Sequence, residues 1–400
     1  MKVLHVIASV TKVRGGTSQA VLDMVKALRI NNVDAEIATT NDDGDDLLDV
    51  PLQKRIEYKH IPIWFFHRFS PNVKPVREYA FSSQLTQWLW ENMDKYELVH
   101  VHALFSYPST IAMAIARRKN IPYIVTAHGL LCEWSLQQST RKKQTYLSLI
   151  ERANLNSSQN MHFTSQKEQQ EVSQLGLYAP NFVLPLGLSL PTQSSDARQR
   201  LRQQFNIPAN EPVILFLSRL HYKKGLDYLC PALAKLTHYR FTFILAGSGT
   251  PDYEAEIESL LISTGLRDRT RIVGFVEGET KNILMQGSDL FVLTSHSENF
   301  AVSVLEALAV GIPVVVTPGV ALASLVKEKQ LGYVPEMDVL AIASAIEQFF
   351  SQPQDAKDMG DRARKLICEN YTWDRIASKL ISVYTDIIEN QSVPVVIQQK

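Results

Sequence analysis

Between Glu306 and Lys327 the chain runs through 20 residues, ALAVGIPVVVTPGVALASLV, without a charge. Hydropathy alone would make this a membrane span. The punctuation argues otherwise. Gly311, Pro313, Pro318 and Gly319 cut the run into a helix end, the strand Val314–Thr317 and a turn. A short strand that is apolar on both faces belongs in a parallel sheet covered by helices on either side. The run therefore predicts a soluble α/β protein.

The same alternation recurs along the chain. Residues 2–9 read as an apolar strand, followed by Gly15-Gly16 and a helix over 19–30 with Thr17 or Ser18 as its N-cap. A strand over 33–39 leads into an acidic stretch, Asn41 to Asp46, which reads as a solvated loop. Leu98–His102 and Tyr123–Ala127 are further strands around a helix near 109–119. Gly, Pro, Ser and Gln accumulate between 176 and 196, which marks an interdomain linker. The alternation then restarts with strands at Pro212–Ser218, Phe241–Ala246, Arg271–Val273 and Leu290–Leu293, and a helix over Val302–Ala309. The expectation is two Rossmann-like domains: residues 1–190 and 191–370, with a terminal amphipathic helix (371–390) crossing back to the first.

At 400 residues the chain can bury large cores without staples. Its 41 basic and 41 acidic side chains give zero net charge, which excludes a nucleic-acid binder. The balance is +3 in residues 1–190 and −3 in the remainder. Three scattered cysteines, Cys132, Cys230 and Cys368, draw neither a disulfide framework nor a zinc site and suit a reducing compartment. The start resembles a short signal core. His5 interrupts it, and Lys12 and Arg14 stand where cleavage would fall, so a first strand and a cytoplasmic location are expected.

In open α/β sheets ligands sit beyond the carboxyl ends of the strands. Three groups stand at such ends. Gly15-Gly16 could let backbone N–H groups approach a phosphate at a helix start, although glycine pairs are common in loops. Ser218 to Gly225 places Arg219 and Lys224 after an apolar strand, where they could meet a diphosphate or form a solvated basic turn. Ser295 to Ala307 carries Glu298 at a strand end and Glu306 eight residues on.

Glu298, seven residues and Glu306 resemble the signature of retaining glycosyltransferases of family 4, which have the GT-B fold. Gly15-Gly16, the Arg219–Lys224 pair, Ala246-Gly247-Ser248-Gly249, Gly274-Phe275-Val276 and the Tyr371/Trp373 segment follow in that family's order. The resemblance implies that Arg219 and Lys224 neutralise a donor diphosphate. It implies that Glu306 accepts from ribose hydroxyls. Glu298 with the N–H groups of Asn299, Phe300, Ala301 and Val302 would hold the donor sugar and phosphate. Gly247 and the stretch ending at Val276 would line the donor, with Gly274–Val276 on the base, and Gly15 and Gly16 would close over the phosphate. His128, in Thr126-Ala127-His128-Gly129, matches a histidine facing donor sugar and acceptor.

Two departures stand out. Asn299 and Ala301 occupy positions where the family often has glycine, which narrows that loop. Ala323 replaces a common acidic residue.

The expected reaction is hexosyl transfer from a UDP-sugar, UDP-glucose by family frequency. The expected acceptor is a saccharide or lipid-linked saccharide in polysaccharide assembly. No Asp-x-Asp stands at a strand end, so neither metal nor cofactor is expected. Competing readings are a nucleotide-sugar epimerase of the same fold and a nucleotide-sugar-binding protein without turnover. Trp64 to Phe69, Arg117-Arg118-Lys119 and Arg141-Lys142-Lys143 place basic residues near aromatics. They read either as contacts to the anionic inner face of the plasma membrane or as ordinary surface and core.

Overall fold

The computed structural model describes residues 1–138 and 140–395. The chain forms two compact units, Met1–Ser189 with Tyr371–Lys400, and Leu190–Asn370.

The first unit holds β1 (Lys2–Val6), β2 (Asp34–Thr40), the small hairpin β3 (Asp42–Asp43) and β4 (Asp46–Leu47), β5 (Arg55–Tyr58), β6 (Ile61–Phe66), β7 (Leu98–His102), β8 (Tyr123–Thr126), β9 (Asn160–Phe163) and β10 (Asn181–Val183). Its eight-stranded sheet has the order β10-β9-β8-β7-β1-β2-β6-β5. All pairings are parallel except β5 with β6. Strand order reverses between β1 and β7, which opens a crevice at their carboxyl ends.

The terminal helix Trp373–Ile388 belongs to this unit. Ile376, Leu380, Val383, Tyr384 and Ile387 form its buried stripe at helical spacing. Thr372 caps its start by accepting from Arg375 N–H. The chain enters through backbone bonds from Leu188 N to Tyr371 O (2.7 Å) and from Trp373 N to Leu188 O (3.2 Å). Gly187 is required there, because a Cβ would lie 2.5 Å from the Trp373 ring.

The second unit holds β11 (Val213–Leu217), β12 (Thr242–Ala246), β13 (Thr270–Gly274), β14 (Leu290–Leu293), β15 (Val314–Val316) and β16 (Gly332–Tyr333). They form one parallel sheet, β13-β12-β11-β14-β15-β16. The uncharged run supplies the end of the helix Val302–Val310, β15 and the turn after it, and Val314, Val315 and Val316 are fully buried. Among the described residues no helix is long and apolar enough to cross a membrane.

Several local expectations need correction. The helix Gly16–Ile30 is capped by Gly15, in a positive-φ conformation, and not by Thr17 or Ser18. Ser18 is instead buried, with its hydroxyl donating to Ser9 O at 2.8 Å. The acidic stretch is not simply solvated. Asp42 is buried and receives Arg14 Nε at 2.6 Å and Arg14 Nη2 at 2.8 Å, together with the Arg68 guanidinium. Arg68 is itself fully buried, and Phe65 and Phe66 are core residues of β6, so that part of the basic–aromatic segment faces no membrane. Phe69 remains about half exposed.

Candidate functional site

In the second unit the carboxyl ends of three strands are laced together by backbone bonds. Ser218 N donates to Ala246 O (3.1 Å), Leu220 N to Ser248 O (2.9 Å) and Gly247 N to Gly274 O (2.7 Å). Gly247 sits at φ +139, and a Cβ there would stand 1.8 Å from Ser218 O. Only glycine lets these loops approach so closely. Val276 lies just beyond Gly274, half-buried, while Phe275 is exposed. Gly225 is as constrained: at φ +67, a Cβ would meet Thr294 O at 1.9 Å. The Thr294 hydroxyl donates to Gly225 O at 3.0 Å and fastens the basic turn to the end of β14.

This turn carries two cations in different states. Lys224 is buried and its ammonium is ion-paired with the Glu298 carboxylate. Arg219 is exposed and has no carboxylate partner among the described residues. His221 is held below its ordinary value by burial and by the charges of Arg219, Lys224 and Lys223, which marks a positive local field.

Glu298 is pinned on its backbone. Its N–H donates to Gly319 O at 3.0 Å, and its carbonyl accepts from Ala321 N at 3.1 Å. Gly319 permits this contact, since a Cβ would lie 2.3 Å from His296 O. After Glu298 come Asn299 and the buried Phe300, whose ring belongs to the core. Ala301 follows in a left-handed conformation, φ 53 and ψ 65, and then the helix Val302–Val310. No side chain caps that helix, so its first N–H groups point outward without intrahelical acceptors. Because the helix begins at Val302, the separation of Glu298 from Glu306 is set by the loop and not by two turns of helical rise. Glu306 receives Lys281 Nζ at 2.5 Å. Ala323 is buried at the start of the helix Ala323–Glu328.

In the first unit Gly15 and Gly16 follow β1, and a Cβ at either would meet nothing within 4 Å. His128 follows β8 in a left-handed conformation, φ 52, and is half-buried. The next residue is held by Glu168, which accepts from Gly129 N at 2.6 Å. Behind His128 lies a histidine cluster. His128 Nε2 and His102 Nδ1 are 3.2 Å apart, and His102 Nε2 and His5 Nδ1 are 2.9 Å apart. His100 contacts the Tyr384 hydroxyl (2.6 Å) and the Thr126 hydroxyl (2.7 Å). The Thr126 hydroxyl also contacts His162, whose Nε2 lies 2.7 Å from Leu184 O. Burial holds His5 and His128 near 3 and His162 near 4, and pushes His100 and His102 well below the usual value. All five are neutral imidazoles at neutral pH. Nitrogens of His5, His100 and His102 lie within 4.8 Å of one another, a spacing a metal could use. Both nitrogens of His100 are already engaged by hydroxyls, and His5 and His102 bond each other.

The family description "Glycosyl transferases group 1" matches residues 197–366, and "Glycosyl transferase 4-like domain" matches residues 15–187. Together the two matches span most of the chain, which belongs to the family-4-type glycosyltransferases. This glycosyltransferase is 26% identical over 390 residues to a D-inositol 3-phosphate glycosyltransferase of Xylanimonas cellulosilytica, covering 92% of the chain and 91% of that protein. It is 32% identical over 198 residues to a glycosyltransferase of Methanocaldococcus jannaschii, spanning 49% of the chain and only half of the archaeal protein. Among solved structures, Anabaena HepE in complex with UDP superposes with a TM-score of 0.79 at 22% identity, covering 96% of this chain and all of HepE. Sucrose-phosphate synthase of Thermosynechococcus elongatus gives 0.78 at 20% identity, covering 98% and 100%. The fold of this glycosyltransferase is GT-B.

Within the second unit the structure joins Lys224 to Glu298 and Gly247 to the strand end that bears Arg219. It does not join Glu306 to Glu298 by any bond among the described residues; Glu306 pairs with Lys281. Sequence reasoning missed Lys281, Glu168 and His102. Lys281 lies in an ordinary-looking helix, Gly278–Gly287, and nothing marks it. His102 did carry a signal, the alternation His100-Val101-His102 in a strand, which puts two imidazoles on one face.

Proposed function

We propose that this glycosyltransferase moves a hexosyl group from a UDP-sugar, with UDP-glucose as the first donor to test, to a saccharide or lipid-linked saccharide acceptor, with retention of configuration. The observation that carries the reading is the Lys224–Glu298 pair beside the uncapped helix start at Val302, at the carboxyl edge of a parallel sheet. In this reading Arg219 and Lys224 meet the donor diphosphate, and the N–H groups of residues 299–302 add positive potential. As the sugar–phosphate bond lengthens, charge builds on the departing diphosphate, and these fixed donors stabilise it. Lys224 exchanges part of its bond with Glu298 for the phosphate, which leaves Glu298 free to accept from a sugar hydroxyl. Glu306, steadied by Lys281, receives the ribose hydroxyls. Gly247 and Gly274–Val276 offer backbone to the base. Within the first unit, Gly15, Gly16 and His128 are the residues we assign to ligand contact. HepE in complex with UDP and glucose supports the choice of donor.

We take the transfer as metal-independent. Fixed cations and helix N–H groups do the neutralising that a metal would otherwise do, and no acidic pair stands at these strand ends. Peripheral contact with an anionic cytoplasmic leaflet would use the exposed Arg117, Arg118, Arg141 and Lys142, without the buried Arg68.

The test is release of UDP from UDP-glucose, alone and with a saccharide panel, by the natural chain and by Lys224→Ala. The expected result is acceptor-dependent release that falls steeply in the variant. Conversion of the donor without any acceptor would favour an epimerase. Equal release by both proteins would sink the assignment.

A further inference from the structure

The cluster behind His128 contains two hydrogen-bonded chains, and their ends differ. In one, the Leu184 carbonyl can only accept, so His162 Nε2 must carry a hydrogen. His162 Nδ1 then accepts from the Thr126 hydroxyl, which accepts from His100 Nε2–H, and His100 Nδ1 accepts from the Tyr384 hydroxyl. Every proton in that chain is fixed from the carbonyl outward.

The other chain, His5–His102–His128, has no such anchor. Its rings are neutral, and the His5 and His102 planes differ by only 9°, so lone pair and N–H can align. Two arrangements are open. If His128 donates inward, His102 donates to His5, and His5 Nε2 carries a hydrogen. If His5 donates outward, His102 donates to His128, and His5 Nε2 is a bare lone pair. His5 Nε2 is buried and has no hydrogen-bond partner among the described residues. An orphaned buried N–H is rarer than an orphaned buried acceptor. The outward arrangement wins.

We propose that His102, backed by His5, is a positioning residue that fixes the neutral His128 ring as the tautomer protonated on Nδ1, so that His128 presents an N–H donor to a hydroxyl or phosphate oxygen of the ligand. This rests on the reading that His128 serves the reaction. His128 is then a hydrogen-bond donor to the ligand and not the base that takes the acceptor's proton. A second-layer imidazole sets a first-layer one, as outer partners do for histidines elsewhere.

The test uses the full chain labelled with 15N-histidine near pH 7.5, with the His128 signals identified by their loss in His128→Gln. Protonation at Nδ1 and a bare Nε2 is the expected spectrum; the reverse tautomer overturns the proposal. In His102→Phe the single tautomer should be lost and kcat should fall about 10-fold, with the donor KM little changed. His102→Gln, whose amide can still donate, should recover part of that loss. Unaltered kcat and an unaltered His128 spectrum in His102→Phe would also overturn it. If His102→Phe does not fold, the spectrum of the natural chain decides alone. Unchanged turnover in His128→Ala would remove the functional half of the proposal by refuting the role of His128 itself, an outcome separate from the tautomer reading.

Discussion

The histidine cluster should make the first unit acid-labile well before its carboxylates titrate. His5, His100, His102 and His162 are at most 1% exposed, and burial holds all four imidazoles far below 6.5. The unfolded chain binds a proton at each of these sites below its ordinary value of about 6.5, while the folded chain does not. Their neutrality therefore supports the fold above pH 6.5, and that support is lost as pH falls toward 3–4. Linkage gives about 1 kcal/mol per group between pH 6.5 and 5.5, or about 4 kcal/mol for the four. Domains are typically stable by about 5–15 kcal/mol, so between about a quarter and four-fifths of the margin would go. Glu151, whose carboxyl burial pushes up, works in the opposite direction, but it is one group against four. The assay is simple because all five tryptophans, Trp64, Trp88, Trp90, Trp134 and Trp373, lie in the first unit. Urea unfolding followed by tryptophan fluorescence at pH 7.5, 6.5 and 5.5 reads that unit alone. A loss below about 1 kcal/mol between pH 6.5 and 5.5 would refute the claim that these imidazoles are buried and neutral.

Other consequences can be checked individually. Gly247→Ala forces a Cβ against Ser218 O and should destabilise the second unit by about 2–4 kcal/mol, read as a lower urea midpoint by circular dichroism. Ala301→Gly removes left-handed strain of about 1 kcal/mol and returns part of it as chain entropy, so the melting temperature should hold or rise slightly. A clear fall would mean that the alanine methyl is needed. Lys281→Met should raise the donor KM about 5-fold and leave kcat nearly unchanged, because Glu306 loses its orienting partner but not its charge. A drop in kcat alone would contradict the ribose role of Glu306.

The alternation of strands and helices was legible because buried parallel strands are continuous apolar runs, as at Leu290–Leu293 and Val314–Val316. The strands Asn160–Phe163 and Asn181–Val183 were not, because they are short and carry Asn160, His162 and Asn181, which look like loop residues. Ile61–Phe66 hid among its aromatics, which read equally as membrane contacts or as core; Phe65 and Phe66 are core. The glycine and charge motifs at 219–225 and 295–306 marked out the candidate site of the second unit, since their residues sit at strand ends within one segment each. Ion pairs between distant segments could not be read. Asp42 with Arg14 and Arg68, and Glu306 with Lys281, depend on register and helix rotation that local sequence does not encode.

The central claim is that the Arg219–Lys224 turn and the Glu298 loop hold a nucleoside diphosphate. Its most direct measurement is titration calorimetry of UDP, ADP and GDP into the natural chain and into Lys224→Gln. The account predicts one UDP site per chain, weakened at least about 10-fold in the variant, the amount expected for losing a charge-assisted phosphate contact. No binding of any of the three by the natural chain, or equal UDP binding by both proteins, would contradict it.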